Sequence, residues 1–167
     1  LINVKLTSGE DEILIAGSNG KVIRFEEDEV RPMGRTASGV RGFNTDGGTV
    51  VGVAVSHEGK YLLSVSENGY GKRSEIDEYR KTNRGNKGVK TINVTTKTGS
   101  LVTVRAVNGD EDAMIVTDKG IIIRIALDHV GVYGRNTQGV KLINVADDET
   151  VTKVAVVAKN EEEQSEE

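Results

Sequence analysis

The sequence predicts an all-β protein built of about three four-stranded blades, and three observations carry that prediction. The chain repeats itself with a period near fifty residues. Each repeat carries short apolar runs separated by tight polar turns. No stretch of useful length has the period of a helix. Residues 1–20 read LINVKLTSGEDEILIAGSNG and residues 101–120 read LVTVRAVNGDEDAMIVTDKG, superimposable at an offset of 100 without a gap. A middle copy lies between them. Asn19-Gly20, Asn68-Gly69 and Lys119-Gly120 fall 49 and 51 residues apart, and Arg24, Arg73, Arg124 and Gly39, Gly88, Gly139 keep those spacings. A fixed period of this size marks an array of small supersecondary units, none of which buries its apolar face alone.

Each repeat opens with an apolar run (13–16, 62–65, 113–116), a polar turn ending in glycine (18–20, 67–69, 118–120) and a returning run (22–25, 70–73, 121–125). Asn-Gly tolerates the positive φ of two-residue hairpin turns, so a β-hairpin is predicted in each copy. A Gly-rich connection follows at 31–41, 80–90 and 131–141, here called the box. The only proline, Pro32, lies in the first box, consistent with a segment outside a central ladder. A short strand is expected next (40–44, 89–94, 140–145), then a closing strand (50–55, 101–107, 151–157). Aliphatic residues dominate these runs and only six aromatics occur, so blade-on-blade packing must be aliphatic.

The closing strand occurs four times, because residues 1–6 are an orphan copy, whereas every other element occurs three times. The chain is thus out of register with the simple unit. A strand exchanged between neighbouring blades is expected, with one or more units preceding Leu1. The repeats are drawn at about 1–49, 50–100 and 101–157, and the acidic segment 160–167 is expected to be a disordered tail.

There are no cysteines, so thiolate metal sites and disulfides are excluded. No apolar run reaches the ~18 residues of a membrane-spanning helix, and no signal-like segment opens the chain, which points to a soluble cytoplasmic protein. His57 and His129 sit at non-equivalent places and form no metal set. Asn68-Gly69-Tyr70-Gly71-Lys72 lacks the first glycine of a phosphate loop, Ser66 standing in its place. The acidic turns at 10–12 and 110–112 lack the alternating spacing of a calcium loop. No nucleophile elbow and no repeated Ser/His/Asp set exists, so the residues point to no catalytic or cofactor site.

The net charge of −4 hides a segregation. The three boxes hold ten basic residues, Arg31, Arg35, Arg41, Arg80, Lys81, Arg84, Lys87, Lys90, Arg135 and Lys141, and no acid. The rest of residues 1–160 holds 12 basic and 21 acidic residues. Equivalent places in an arc of blades fall along one rim, so a stripe of cations is expected there. Cations on Gly-rich loops, with exposed N–H groups between them, suit a phosphate backbone, and solvated basic turns are the plainer alternative. Only Tyr133 among the boxes is aromatic, which argues for duplex phosphate contact over base stacking. Arg24, Arg73 and Arg124, at the hairpin ends, are second-rank candidates. Their strict register suits a phosphate contact or a structural ion pair equally.

The segments Arg31-Pro32-Met33-Gly34-Arg35-Thr36-Ala37, Gly39-Val40-Arg41-Gly42 and Gly134-Arg135-Asn136-Thr137-Gln138-Gly139-Val140 closely resemble the C-terminal domain of bacterial DNA gyrase A. The resemblance extends to about Lys159. It implies a β-pinwheel, a propeller-like disc of six blades with a strand exchanged between neighbours, of which residues 1–159 would be the C-terminal three blades. It also implies a disc that wraps duplex DNA on its basic perimeter in the bacterial cytoplasm. The partners implied are the gyrase B protein and the breakage-reunion core. ATP, magnesium and the catalytic tyrosine would lie elsewhere in the holoenzyme, leaving no cofactor for this portion. The family's hallmark box, close to Gln-Arg-Arg-Gly-Gly-Arg-Gly, belongs to the first blade and is absent; Arg84-Gly85-Asn86-Lys87-Gly88 is a degenerate form. The similar domain of topoisomerase IV is the close alternative. A β-repeat module for protein partners is the more distant one, weakened by the scarcity of aromatics. The acidic tail is expected to compete with DNA for the rim.

Overall fold

The computed structural model describes residues 1–159, so the tail expectation lies outside the described residues. Eleven strands are present among them: β1 (Glu12–Gly17), β2 (Lys21–Glu26), β3 (Val50–Val55), β4 (Tyr61–Ser66), β5 (Tyr70–Glu75), β6 (Val89–Lys90), β7 (Leu101–Val107), β8 (Glu111–Thr117), β9 (Ile122–Ala126), β10 (Val140–Lys141) and β11 (Val151–Ala158). They form three antiparallel sheets in the orders β3-β1-β2-β6, β10-β5-β4-β7 and β11-β8-β9. No α-helix occurs among the described residues, and no helix is long and apolar enough to cross a membrane.

The three hairpins fall where the repeat places them. Their turns differ from the two-residue type: only the glycine has positive φ (78° at Gly20, 82° at Gly69, 81° at Gly120). Each glycine N–H donates to the carbonyl three residues back, on Gly17, Ser66 and Thr117. This is a four-residue turn closed by a left-handed glycine, a common longer hairpin connection.

Strand exchange is present, but the exchanged strand is the short one, and it joins the preceding sheet. Val89 and Lys90 of the second repeat pair with Val22 and Lys21 of the first sheet; Val140 and Lys141 of the third pair with Gly71 and Tyr70 of the second. The exchanged strands span two residues where five or six were expected. Residues 40–44 form no strand, and no sheet among the described residues pairs with them. The orphan copy at 1–6 likewise forms no strand, and Leu1, Ile2, Val4 and Leu6 are exposed. A strand exists only through a ladder partner, and this segment has none among the described residues.

The alternation of side chains distributes each sheet's apolar residues to two faces. Leu14 and Ala16 of β1 join Leu62, Leu101 and Val104 of the second sheet in one core. Leu63, Val65 and Val107 join Ala113, Ile115 and Val154 in the next. The cores therefore lie between sheets and are mostly aliphatic, as the composition requires. Both phenylalanines, Phe25 and Phe43, cap the remaining face of the first sheet with Ile23. The closing strands β3, β7 and β11 lie side by side at the converging edge, where a Cβ on Gly52 would stand 2.9 Å from the Val104 nitrogen. The exchanged strands occupy the opposite, outer edge.

Candidate nucleic-acid interface

The outer edge is built by seating the second and third boxes on the sheets before them. The second box enters through an N–H···O bond from Thr82 to the Arg24 carbonyl at 2.9 Å. The third uses the Arg73 N–H to the Gly131 carbonyl at 3.1 Å and the Tyr133 N–H to the Arg73 carbonyl at 2.8 Å. Gly88 and Gly139 then press on the strand, where a Cβ would lie 2.3 Å from the carbonyl oxygens of Val22 and Gly71. Both keep positive φ, so glycine is needed twice over.

Neighbouring boxes are tied to one another by one repeated pattern. The Arg84 guanidinium donates to the carbonyls of Glu29 (2.9 Å) and Arg41 (3.1 Å), and its N–H donates to the Glu29 carboxylate at 2.8 Å. One repeat on, Arg135 donates to the Lys90 carbonyl at 2.6 Å, and its N–H donates to Glu78 at 2.8 Å. Gly85 N–H to Gly42 and Asn44 N–H to Asn86 complete the first junction.

The ten sequence-predicted cations divide by environment. Arg31, Arg35, Arg41 and Arg80 are exposed, and their side chains make no hydrogen bond or ion pair among the described residues. Arg84 and Arg135 spend part of their donors on the box-to-box ties. Lys87 pairs with Asp46 at 2.9 Å, and Lys90 donates to Asn93 at 3.3 Å. Lys81 lies between Glu12 and Glu26, at 2.7 Å from each. These hydrogen bonds hold the Lys81 ammonium above its ordinary range. Burial works against Glu12's charge, yet Lys81 and Arg24 together keep its carboxyl below the usual range. Asp46, bonded by Lys87 and Lys21, is likewise lowered. So the boxes are acid-free in sequence, but the second box meets four acids in space. Lys141 stands 5.8 Å from the Tyr70 ring centroid.

The structural alternative holds for the second-rank arginines Arg24 and Arg73. Arg24 is buried, pairs with Glu12 and Asp77, and donates to the carbonyls of Ile76 and Tyr79 at 3.0 Å each. Arg73 donates to the Val130 carbonyl at 2.8 Å. Both clasp the next blade and point away from solvent. Arg124 pairs with Asp112 at 2.7 Å within its own hairpin.

Two contributors escape the sequence reading. Lys72 takes the register of Ile23 and Ile123 and is fully buried, with Nζ donating to the Gly134 carbonyl at 2.7 Å and to the Arg135 carbonyl. Burial depresses its ammonium to about 8, against a small opposing pull from Glu78. Only the break in an isoleucine register hints at this lysine in the sequence. Lys97, 5.5 Å from the Tyr70 ring, faces Lys141 across a shallow rim hollow shared with Asn68 and Asp147.

Blades that exchange an outer strand and converge on their closing strands define a propeller-like β-module with a basic, loop-built rim. The family model described as DNA gyrase C-terminal domain, beta-propeller, matches residues 11–57, 60–108 and 111–158, one segment per sheet. The chain belongs to that family. It is 46% identical over 169 residues to DNA gyrase A of Staphylococcus aureus strain MRSA252, covering 99% of this chain and 19% of that protein. Strain NCTC 8325 gives 46% over 170 residues, again spanning 19% of the relative's length. A solved structure of a DNA gyrase A C-terminal domain superposes with a TM-score of 0.81 at 27% identity, over 89% of this chain and 51% of that one. The C-terminal domain of a DNA topoisomerase IV superposes with a TM-score of 0.86 at 22% identity, covering 93% and 49%, and shares the fold.

Proposed function

We propose that this chain is a duplex-binding portion of a gyrase-type topoisomerase, which bends DNA around its basic rim without reading sequence. The observation that carries the reading is the seating of successive boxes on the outer edges of successive sheets. That seating brings the seven cations of the second and third boxes onto one edge, and the ties of Arg84 and Gly85 to Arg41 and Gly42 hold the first box beside them. Arg31, Arg35, Arg41 and Arg80, with no protein partner to give up, are the first phosphate contacts. Lys90, Lys97 and Lys141 extend the track, and Lys81, Arg84, Lys87 and Arg135 divide their charge between loop architecture and DNA. Each phosphate neutralised releases counterions, so affinity comes from charge count and fixes position along the duplex only loosely.

In the holoenzyme this bend would hand a crossing segment to the breakage-reunion core, working with the gyrase B protein on chromosomal DNA in the bacterial cytoplasm. ATP and magnesium would be bound elsewhere, and the chemistry of negative supercoiling would lie outside this chain. The test is a gel-shift salt series on linear duplex DNA. Log affinity should fall linearly with log salt, and replacing Arg31, Arg35, Arg41 and Arg80 together by alanine should flatten the slope by about 3 to 4, at ~0.9 per phosphate lost. Affinity independent of salt, or a slope unmoved by the four substitutions, overturns the reading.

A further inference from the structure

We infer that the duplex does not lie centrally on the rim but is displaced toward the hairpin-turn border of the first two sheets, where a hollow between Lys97 and Lys141 seats a phosphate. The inference rests on the proposed duplex binding and adds which part of the surface takes part in it. The three sheets share one polarity. A Cβ on Gly52 would stand against Val104 and one on Gly59 against Val107, so β3 and β7 run side by side in one direction. The Leu101 N–H donates to the Ser18 carbonyl at 3.0 Å and the Val151 N–H to the Glu67 carbonyl at 2.8 Å, which gathers the hairpin turns at one border. Arg24 reaches the Ile76 carbonyl and Arg73 the Val130 carbonyl, which gathers the short 3-10 turns at 27–29, 76–78 and 127–129 at the other.

The two borders differ in charge. Fifteen of the 21 acidic residues among residues 1–159 fall in the segments 10–12, 26–29, 58–60, 75–78, 110–112 and 126–128, all at the 3-10 border. Lys60 is the one lysine in those segments. Arg24, Arg73 and Arg124 nearby are bonded to Glu12, to the Val130 carbonyl and to Asp112. Strands of six residues make the rim about 20 Å tall. A duplex laid along it covers that height and comes within the ~8 Å screening length of a border, so the acids repel its phosphates from one side.

The second box crosses this gradient. At the acidic end Lys81 bridges to Arg24 and is held between Glu12 and Glu26. At the hairpin end Lys90 lies opposite Lys21 and bonds the neutral Asn93. Asp46 there is shared by Lys21 and Lys87, which leaves the group net positive. One junction on, Lys97 and Lys141 stand 5.5 and 5.8 Å from the Tyr70 ring centroid, and neither ammonium has a hydrogen bond or ion pair among the described residues. Asn68 and Asp147 also line the hollow between them. Two ammonium groups with no acceptor, over one hollow, fit a single phosphate. At the third sheet Asp118, Asp147 and Asp148 outweigh Lys119, so the open border is that of the first two sheets.

The chain has no cysteine, so a single introduced one can carry an iron-EDTA tether that cuts nearby DNA. Thr96→Cys, in the hollow, and Val30→Cys, just after the first 3-10 turn, replace exposed residues and change no charge. On a linear duplex, cutting from Thr96→Cys should exceed that from Val30→Cys by about fivefold, and adding Asp28→Lys to Val30→Cys should raise its cutting about twofold. Lys97→Ala should lower the salt slope of binding by ~0.9, one phosphate contact. Filter retention of the same mixtures reports binding itself. A chain that retains no duplex overturns the proposed function and this inference with it. Retention with equal cutting from the two tethers, stronger cutting from Val30→Cys, no effect of Asp28→Lys, or a slope unmoved by Lys97→Ala overturns the placement and leaves the proposed function standing.

Discussion

The edge of β2 and the edge of β9 have the same place in the repeat and opposite fates. On β2 a two-residue strand and a box cover Val22, bury Arg24 and bring Lys81 between two carboxylates. On β9 Ile121 and Ile122 are exposed, and Arg124 pairs with Asp112 in its own hairpin and donates to the Ala158 carbonyl. The side chains at the edge are alike in both, so sequence at the edge does not decide burial. The arrival of the next box decides it.

The largest effect should come from placing a charge on each edge. Val22→Asp buries a carboxylate with no cation beside it and should cost about 4 kcal/mol or more, enough to unfold the first junction. Ile122→Asp, the equivalent change on β9, should cost less than about 0.5 kcal/mol. Urea melts of the two variants against wild type measure the contrast.

Next come the arginines. The Arg24 side chain is 9% exposed and the Arg124 side chain 35%. Arg24→Met leaves two carbonyls and Glu12 short of a donor and should cost about 3 kcal/mol. Arg124→Met removes a more solvated pair and should cost about 1 kcal/mol or less. Equal losses in thermal denaturation would erase the distinction between the edges.

The smallest effect is at the middle edge, β5, where Lys72 replaces isoleucine. Its folded pKa, about 8, lies below the ordinary 10.5 because burial disfavours the ammonium. The unfolded chain therefore binds more protons between those values, and stability must rise with pH across that window. Lys72→Met should abolish this rise. The difference between wild-type and variant melting temperatures at pH 7 and pH 10 reads it directly.

The hairpins were legible because each lies within a single fifty-residue window, the period because its copies superimpose along the chain, and the aliphatic character of the cores because composition carries it. The direction of strand exchange was not, since the fourfold closing strand drew attention to residues 1–6, while the strand that crosses over is Val89-Lys90. A ladder of two residues leaves almost no periodic trace. The boxes were legible as acid-free loops. That Glu12, Glu26 and Asp46 come to rest on the second box was not, because they lie about 40 to 75 residues away in the chain, and local charge patterning cannot see across a junction. Lys72 illustrates the same limit from the other side: in sequence it is one more lysine, and burial alone makes it an anchor.

The ties from Arg84 to the Arg41 carbonyl and from Arg135 to the Lys90 carbonyl also have a mechanical side. A duplex held in a bend stores roughly 1 to 6 kcal/mol per 20–30 base pairs and pushes back on whatever holds it. Independent loops would yield one at a time under that load. Here each loop is fastened to its neighbour's backbone, so under the proposed function recoil at one point would be shared along the series. A rim so tied would resist deformation, and that resistance, as much as its charge, would set how tightly a bound duplex can be curved.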